Sequence, residues 1–168
     1  MIEKVISKES FFIKNFEGNT KILDKHVAHI LEFDRGRKIS NEGGYQSNDI
    51  TFGFEELLLS INQGFKEIDQ NTVLGNFWLN INKGTDYNRP HIHGFTGWSV
   101  VYYHKICCDQ SPIVFSSLVP CIQKNCFSFV PKSQQIIFFN SWYPHSVQSC
   151  NQVNHERVSL AFNYLFTK

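Results

Sequence analysis

The chain has no apolar run approaching the ~20 residues that a membrane-spanning helix needs, and no internal repeat or low-complexity tract. It also lacks an excess of either charge. Sixteen Lys and Arg against fifteen Asp and Glu leave a formal net charge of +1, too little to argue for nucleic acid or an anionic membrane as a partner. The opening Met1-Ile2-Glu3-Lys4 has none of the apolar core of a secretion signal, so a soluble, cytoplasmic protein is expected. Cysteine is odd in number, five, and Cys107 and Cys108 are adjacent, which argues against a secreted disulfide framework. Cys121 and Cys126 flank an expected loop, but their spacing relative to the Cys107/Cys108 pair fits no zinc ribbon or finger. The cysteines therefore read as reduced, partly buried thiols.

Aromatic residues are what the chain has in quantity. Sixteen Phe, six Tyr and three Trp favour strands and an aromatic interior. With 168 residues, 42% of them hydrophobic, there is material for one domain over 1–168 with a substantial core. The first seventy residues read as mainly helical. Lys21–Phe33 places Ile22, Leu23, Val27, Ile30 and Leu31 on one side, and Phe54–Asp69 repeats Phe54, Leu57, Leu58, Ile61, Phe65 and Ile68 at helical spacing. Between them, Asp34–Asn48 has no period and reads as a loop, in which Gly43-Gly44-Tyr45-Gln46-Ser47 is either a functional lid or an exposed connector.

From residue 72 the pattern becomes one of short strands: Val73–Asn82, Trp98–His104, Pro112–Leu118, Cys126–Val130, Gln135–Asn140 and Arg157–Phe166. Turns at Lys83-Gly84, Asp109-Gln110-Ser111 and Pro131-Lys132-Ser133 separate them, with another break around 151–154. Strands so closely spaced leave no room for crossover helices. A mainly β sandwich or open barrel over 72–166, with the two helices packed outside one face, is the expected architecture.

Chemistry concentrates at His91-Ile92-His93, which follows the expected loop 83–90 and precedes a β-prone run. One intervening residue on an extended backbone sends both imidazoles to one face. His145, just past the apolar run Ile136–Phe139, is expected at a strand exit where it can reach the same barrel mouth. Three imidazoles make a facial cap suited to Fe, Zn, Cu or Ni, with coordination positions left open. Arg157 and Ser159 share a strand face, and a guanidinium with a hydroxyl two residues away is a fork for a carboxylate; taken alone, a rim salt bridge with Glu156 accounts for the arginine equally well.

Three stretches carry a family resemblance: Trp78-Leu79-Asn80-Ile81-Asn82, then His91-Ile92-His93, then Trp98-Ser99-Val100-Val101-Tyr102-Tyr103. The tail agrees in order, with Phe138-Phe139-Asn140-Ser141-Trp142-Tyr143-Pro144-His145 followed by Glu156-Arg157-Val158-Ser159-Leu160-Ala161-Phe162-Asn163, and so does the upstream Gly43–Ser47. Over about residues 40–166 the chain resembles the 2-oxoglutarate/Fe(II)-dependent oxygenases of bacteria and marine phages, in the prolyl-hydroxylase-like superfamily. The resemblance implies a double-stranded β-helix (a jelly-roll, cupin-like barrel), an Fe(II) cofactor, 2-oxoglutarate as co-substrate and O₂. It also implies location in the cytoplasm of a bacterium or phage-infected cell.

By position, the resemblance makes His91 and His145 metal ligands. His93 falls where the wider superfamily carries an aspartate, which removes one negative charge from the metal's inner sphere. Asp86, five positions before His91, is the candidate substitute carboxylate. Arg157 and Ser159 match the pair that holds the distal carboxylate of 2-oxoglutarate. Tyr103 matches an assisting tyrosine, with Tyr102 as the fallback, and Asn82 a polar position near the chelating end. No catalytic group beyond the metal ligands is implied. Two other readings stay open: a cupin-type three-histidine dioxygenase, although the glutamate usual after H-x-H is missing from Gly94-Phe95-Thr96-Gly97-Trp98, and a non-catalytic binding or structural protein that keeps the barrel. The sequence selects neither a small molecule nor a protein side chain as primary substrate, and no oligomeric state.

Overall fold

A computed structural model describes residues 11–68, 70–107, 111–116, 127–152 and 154–167. In chain order the elements are β1 (Phe11–Asn15), α1 (Thr20–Phe33), β2 (Asn41–Glu42), β3 (Tyr45–Gln46), α2 (Glu55–Glu67), β4 (Thr72–Lys83), β5 (Tyr87–His91), β6 (Trp98–Ile106), β7 (Ile113–Phe115), β8 (Phe127–Phe129), β9 (Gln135–Asn140), β10 (His145–Val147) and β11 (Glu156–Phe166). They form a six-stranded sheet in the order β1-β9-β6-β11-β4-β3 and a five-stranded sheet in the order β2-β5-β10-β7-β8, antiparallel at every pairing.

The larger sheet is buried on both faces, and its residue alternation sorts two cores. Phe77, Leu79 and Ile81 of β4, Val100 and Tyr102 of β6, Ile136 and Phe138 of β9, and Val158, Leu160 and Phe162 of β11 join one cluster with the helices. The intervening residues, among them Trp78, Val101, Tyr103, Ile137, Phe139 and Ala161, face the smaller sheet and pack with Ile113 and Phe115 of β7. A single residue of slip would exchange the two sets, so the aromatic pattern fixes the register.

Helix α1 starts where the Asn19 side chain accepts the Lys21 N–H at 3.1 Å, a standard N-cap, and buries Leu23, Val27 and Ile30. Helix α2 begins one residue later than its apolar period implies, because Phe54 adopts a left-handed conformation (φ 67°) and buries its ring ahead of the first turn. Glu55 and Glu56 follow, favourably placed against the helix dipole. Gly64 lets α2 lie close on the sheet: a Cβ there would come within 2.5 Å of the Phe138 ring. Ile61 of α2 is fully buried in this layer. Ile61→Ala is expected to cost about 2–5 kcal/mol of stability, read as a shift of the urea midpoint at unchanged slope. A change below about 1 kcal/mol would mean that the helix is not anchored as described.

The mainly β architecture with two helices on one face is as the sequence implies, and Gln135–Asn140 coincides with β9. Other bounds move: Val73–Asn82 becomes Thr72–Lys83 and Trp98–His104 extends to Ile106, while Pro112–Leu118 contracts to Ile113–Phe115 and Cys126–Val130 to Phe127–Phe129. Leu118, Asp109, Gln110, Cys108, Cys121 and Cys126 lie outside the described residues. Five strands carry no pattern that alternation could find. β2 and β3 have two residues each, β10 has three, β5 contains Pro90, and β1 lies ahead of the first helix. Residues 11–46 thus supply sheet edges as well as helical cover. Among the described residues, no helix is long and apolar enough to cross a membrane.

Candidate metal centre

Strands β5 and β10 are neighbours in the smaller sheet, and their pairing sets His91 directly opposite His145. His145 is therefore the first residue of β10 rather than part of a loop, and His91 ends a strand rather than following a loop. His93 lies two residues beyond β5, where its N–H is bonded to the Ser141 carbonyl at 2.9 Å. Ring centroids are 4.4 Å apart for His91–His145, 5.1 Å for His91–His93 and 5.0 Å for His93–His145. One nitrogen of each residue lies within 4.8 Å of the others.

The hydrogen bonds around the rings fix which nitrogens these are. His91 Nδ1 meets the Arg89 carbonyl at 2.7 Å and His145 Nδ1 meets the Tyr143 carbonyl at 2.9 Å. His93 Nδ1 meets the Asn163 side-chain oxygen at 2.8 Å. All three partners are acceptors, so each Nδ1 carries the proton and each Nε2 presents a lone pair. The 3.1 Å contact between His91 Nε2 and His93 Nε2 then brings two acceptors together and is no hydrogen bond. A shared cation would resolve it. Burial also keeps the imidazoles neutral, as ligation requires. It lowers His91; it holds His93 at about 4, with help from His91; and it holds His145 well below the usual histidine value, with help from both neighbours.

The histidines form one part of the wall of a small cavity, about 30 Å³, whose other polar walls include Arg157, Ser159 and Asn80. Arg157 is 2% exposed. Its Nη1 donates to the Ser111 carbonyl at 2.7 Å, its guanidinium lies 4.9 Å from the centre of the Tyr103 ring, and its Nε has no partner. Glu156 is engaged instead by Lys83 at 3.2 Å, and among the described residues no carboxylate forms a salt bridge with Arg157. Burial lowers the Arg157 pKa but leaves a guanidinium charged. A buried charge without a counter-ion costs several kcal/mol, so this cavity suits an anion. The Asn80 side-chain oxygen and the Tyr103 hydroxyl are likewise buried without partners, and burial pushes Tyr103 up to about 12 against the opposing effect of Arg157.

Strand register accounts for this grouping: Ser159 lies between Asn80 on β4 and Tyr103 on β6. Tyr102 belongs to the helix-side cluster and Tyr103 to the barrel side. Asn82 does not line the cavity. It is buried behind the wall, donating to the Asn88 side-chain oxygen at 3.2 Å, and Asn88 is the one that reaches the lining. Asp86 is outside the histidine cluster, its carboxylate accepting the Lys83 N–H at 2.7 Å within the turn before β5.

The segment 43–47 connects β2, which pairs with β5, to β3, which pairs with β4, and so links the two sheets, with Gly43 and Gly44 exposed. Gln46 and Ser47 are buried, and Ser47 Oγ accepts the Leu79 N–H at 2.9 Å. Trp78, on the same strand face as Asn80 and Asn82, packs against His93 at 5.3 Å, and Asn163, which did not stand out in the sequence, holds it. Strand parity could have found Asn163, since residues 157, 159, 161 and 163 lie on one face.

Residues 76–163 match the family described as "Putative 2OG-Fe(II) oxygenase", and this stretch contains the three histidines, Arg157 and Ser159. The chain belongs to this family. No curated protein sequence matches it. Solved structures of similar fold include a prolyl-4-hydroxylase from Pseudomonas putida (13% identity, 95% of this chain and 94% of that one, TM-score 0.67). HygX from Streptomyces hygroscopicus, with nickel, 2-oxoglutarate and hygromycin B bound, is similar at 10% identity, 95% and 84% coverage and TM-score 0.71. The viral collagen prolyl hydroxylase of Paramecium Bursaria Chlorella virus-1, as its 2-oxoglutarate complex, follows at 12% identity, 94% and 96% coverage and TM-score 0.62. The two facing sheets are those of the double-stranded β-helix.

Proposed function

We propose that this 2OG-Fe(II) oxygenase is an active Fe(II)- and 2-oxoglutarate-dependent dioxygenase that hydroxylates its substrate, with residues 1–168 acting as one domain. The observation that carries the proposal is the pairing, in one cavity, of three converging Nε2 lone pairs with a buried arginine that has no carboxylate partner among the described residues. His91, His93 and His145 would hold the iron. Arg157, with Ser159 and Tyr103, would hold the distal carboxylate of 2-oxoglutarate, and Asn80 is the amide nearer to hand on the lining than Asn82.

Iron and 2-oxoglutarate, when bound, supply the chemistry: 2-oxoglutarate and O₂ are consumed to give succinate, CO₂ and a hydroxyl group inserted into a substrate C–H bond. The chain's own part is to orient and to exclude water. The Nδ1 bonds of the three rings aim the nitrogens before any metal arrives, the Arg157 fork sets the direction of the dicarboxylate, and the apolar walls from Val101, Ile113 and Ala161 keep the site dry. Three neutral ligands leave the iron with one more positive charge than a set containing a carboxylate.

A cupin-type three-histidine dioxygenase would leave the buried Arg157 without a task, and a non-catalytic barrel would leave three aimed lone pairs without one. The test is anaerobic calorimetry of 2-oxoglutarate binding with and without Fe(II), followed by succinate release in air across peptide and small-molecule substrate pools. Fe(II)-dependent binding and succinate formation are expected. Absence of Fe(II)-dependent binding would sink the proposal.

A further inference from the structure

The three histidines are not held alike. His91 and His145 donate to backbone carbonyls, which offer only an acceptor. His93 donates to a side-chain amide, which presents oxygen or nitrogen depending on how it is turned. Its orientation is set one residue further out: Asn163 Nδ2 donates to Asn76 Oδ1 at 2.9 Å, directly across the β4–β11 pairing. With its N–H₂ engaged there, Asn163 turns its oxygen to His93. Turned the other way, it would present a donor to Nδ1, move the His93 proton to Nε2 and point that proton at the His91 and His145 nitrogens.

We propose that Asn163 is a positioning residue for the metal centre, selecting the His93 tautomer that can ligate through Nε2. The proposal rests on the metal-centre assignment above. It places the control of His93, the ligand at the position where a carboxylate is expected, in an acceptor that is neutral. Swapping that acceptor for another acceptor should therefore be tolerated, while removing it should not.

The experiment measures Co(II) affinity and the Co(II) d–d absorption spectrum of the wild-type protein, Asn163→Leu and Asn163→Asp. Leucine is close in shape and accepts nothing, and loss of such an outer partner typically weakens metal binding by about 10- to 100-fold. That loss, with an altered spectrum, is expected for Asn163→Leu. Asn163→Asp keeps an acceptor for Nδ1–H and should bind Co(II) at least as tightly as wild type with an unaltered spectrum.

If Asn163→Leu binds like wild type, or if Asn163→Asp is weakened as much as Asn163→Leu, the proposal is overturned while the metal centre stands. If the wild-type protein takes up no Co(II), the metal centre falls, and this proposal with it. Should Asn163→Leu fail to fold, ¹⁵N NMR of the metal-free wild-type imidazoles decides: a His93 proton on Nδ1 supports the proposal, and one on Nε2 overturns it.

Discussion

Arg157→Lys is expected to weaken 2-oxoglutarate binding by roughly 10- to 100-fold while leaving metal binding intact, because charge-assisted hydrogen bonds of the kind it removes are worth about 1.5–3 kcal/mol. The charge survives the substitution, but the planar fork that meets a carboxylate with two parallel donors does not. Arg157→Met should go further, since losing one partner of a buried charge pair typically costs 2–5 kcal/mol or more, about 30-fold to several thousand-fold in affinity.

The same substitution should move stability in the opposite direction. Without co-substrate, Arg157 is a cation 2% exposed that has, among the described residues, the Ser111 carbonyl and the Tyr103 ring beside it. Exchanging such a charge for a well-packed apolar side chain is often neutral or stabilising. Arg157→Met should therefore unfold at the same or a higher temperature than wild type when ligand-free, and lose the stabilisation that 2-oxoglutarate confers. Thermal unfolding with and without 2-oxoglutarate, in the presence of Co(II), separates the two effects. A ligand-free Arg157→Met protein that unfolds well below wild type would instead make the arginine a structural residue and remove its role as carboxylate receptor.

Much of this site could be read before the fold was known, and for a definite reason. Arg157, Ser159 and Tyr103 sit on long strands, where alternation assigns the face despite the register shift between Val158 and Ser159. Their grouping follows once β6 and β11 are placed side by side. The helices were legible because Leu23, Val27 and Ile30, or Leu57, Ile61 and Phe65, mark a buried stripe. Illegible were the pieces held by backbone pairing rather than by pattern. Nothing in Tyr87–His91, with its asparagine, arginine and proline, signals a strand, yet its pairing with β10 is what sets His91 opposite His145. Asn82 illustrates the other limit. Parity places it on the correct face, but whether a side chain on that face reaches the cavity or is screened from it, here by Asn88, depends on the opposite sheet, which no single strand encodes.

The histidines themselves should give the largest change in a direct measurement. Zinc sites with four protein ligands have apparent binding energies of about 10–16 kcal/mol, so one ligand accounts for about 3–4 kcal/mol, or a 100- to 1,000-fold loss of affinity on removal. Binding to the folded state alone adds about 4 kcal/mol of stability at a thousandfold excess over Kd. For a chain of this size 1 kcal/mol moves Tm by about 2–4 °C, so Co(II) at that excess should raise the wild-type Tm by roughly 8–16 °C. At the same Co(II) concentration His145→Ala and His91→Ala, weakened about 100- to 1,000-fold, should rise by no more than about 6 °C in Tm. His93→Ala should lose most of it too, since Asp86 is committed to its turn and no other carboxylate joins the cluster among the described residues.

The size of the Co(II)-induced shift, rather than Tm itself, is the quantity to compare. His145 is 3% exposed and its truncation leaves a cavity that lowers Tm with or without metal. A full Co(II) shift in any of the three variants would remove that histidine from the metal centre.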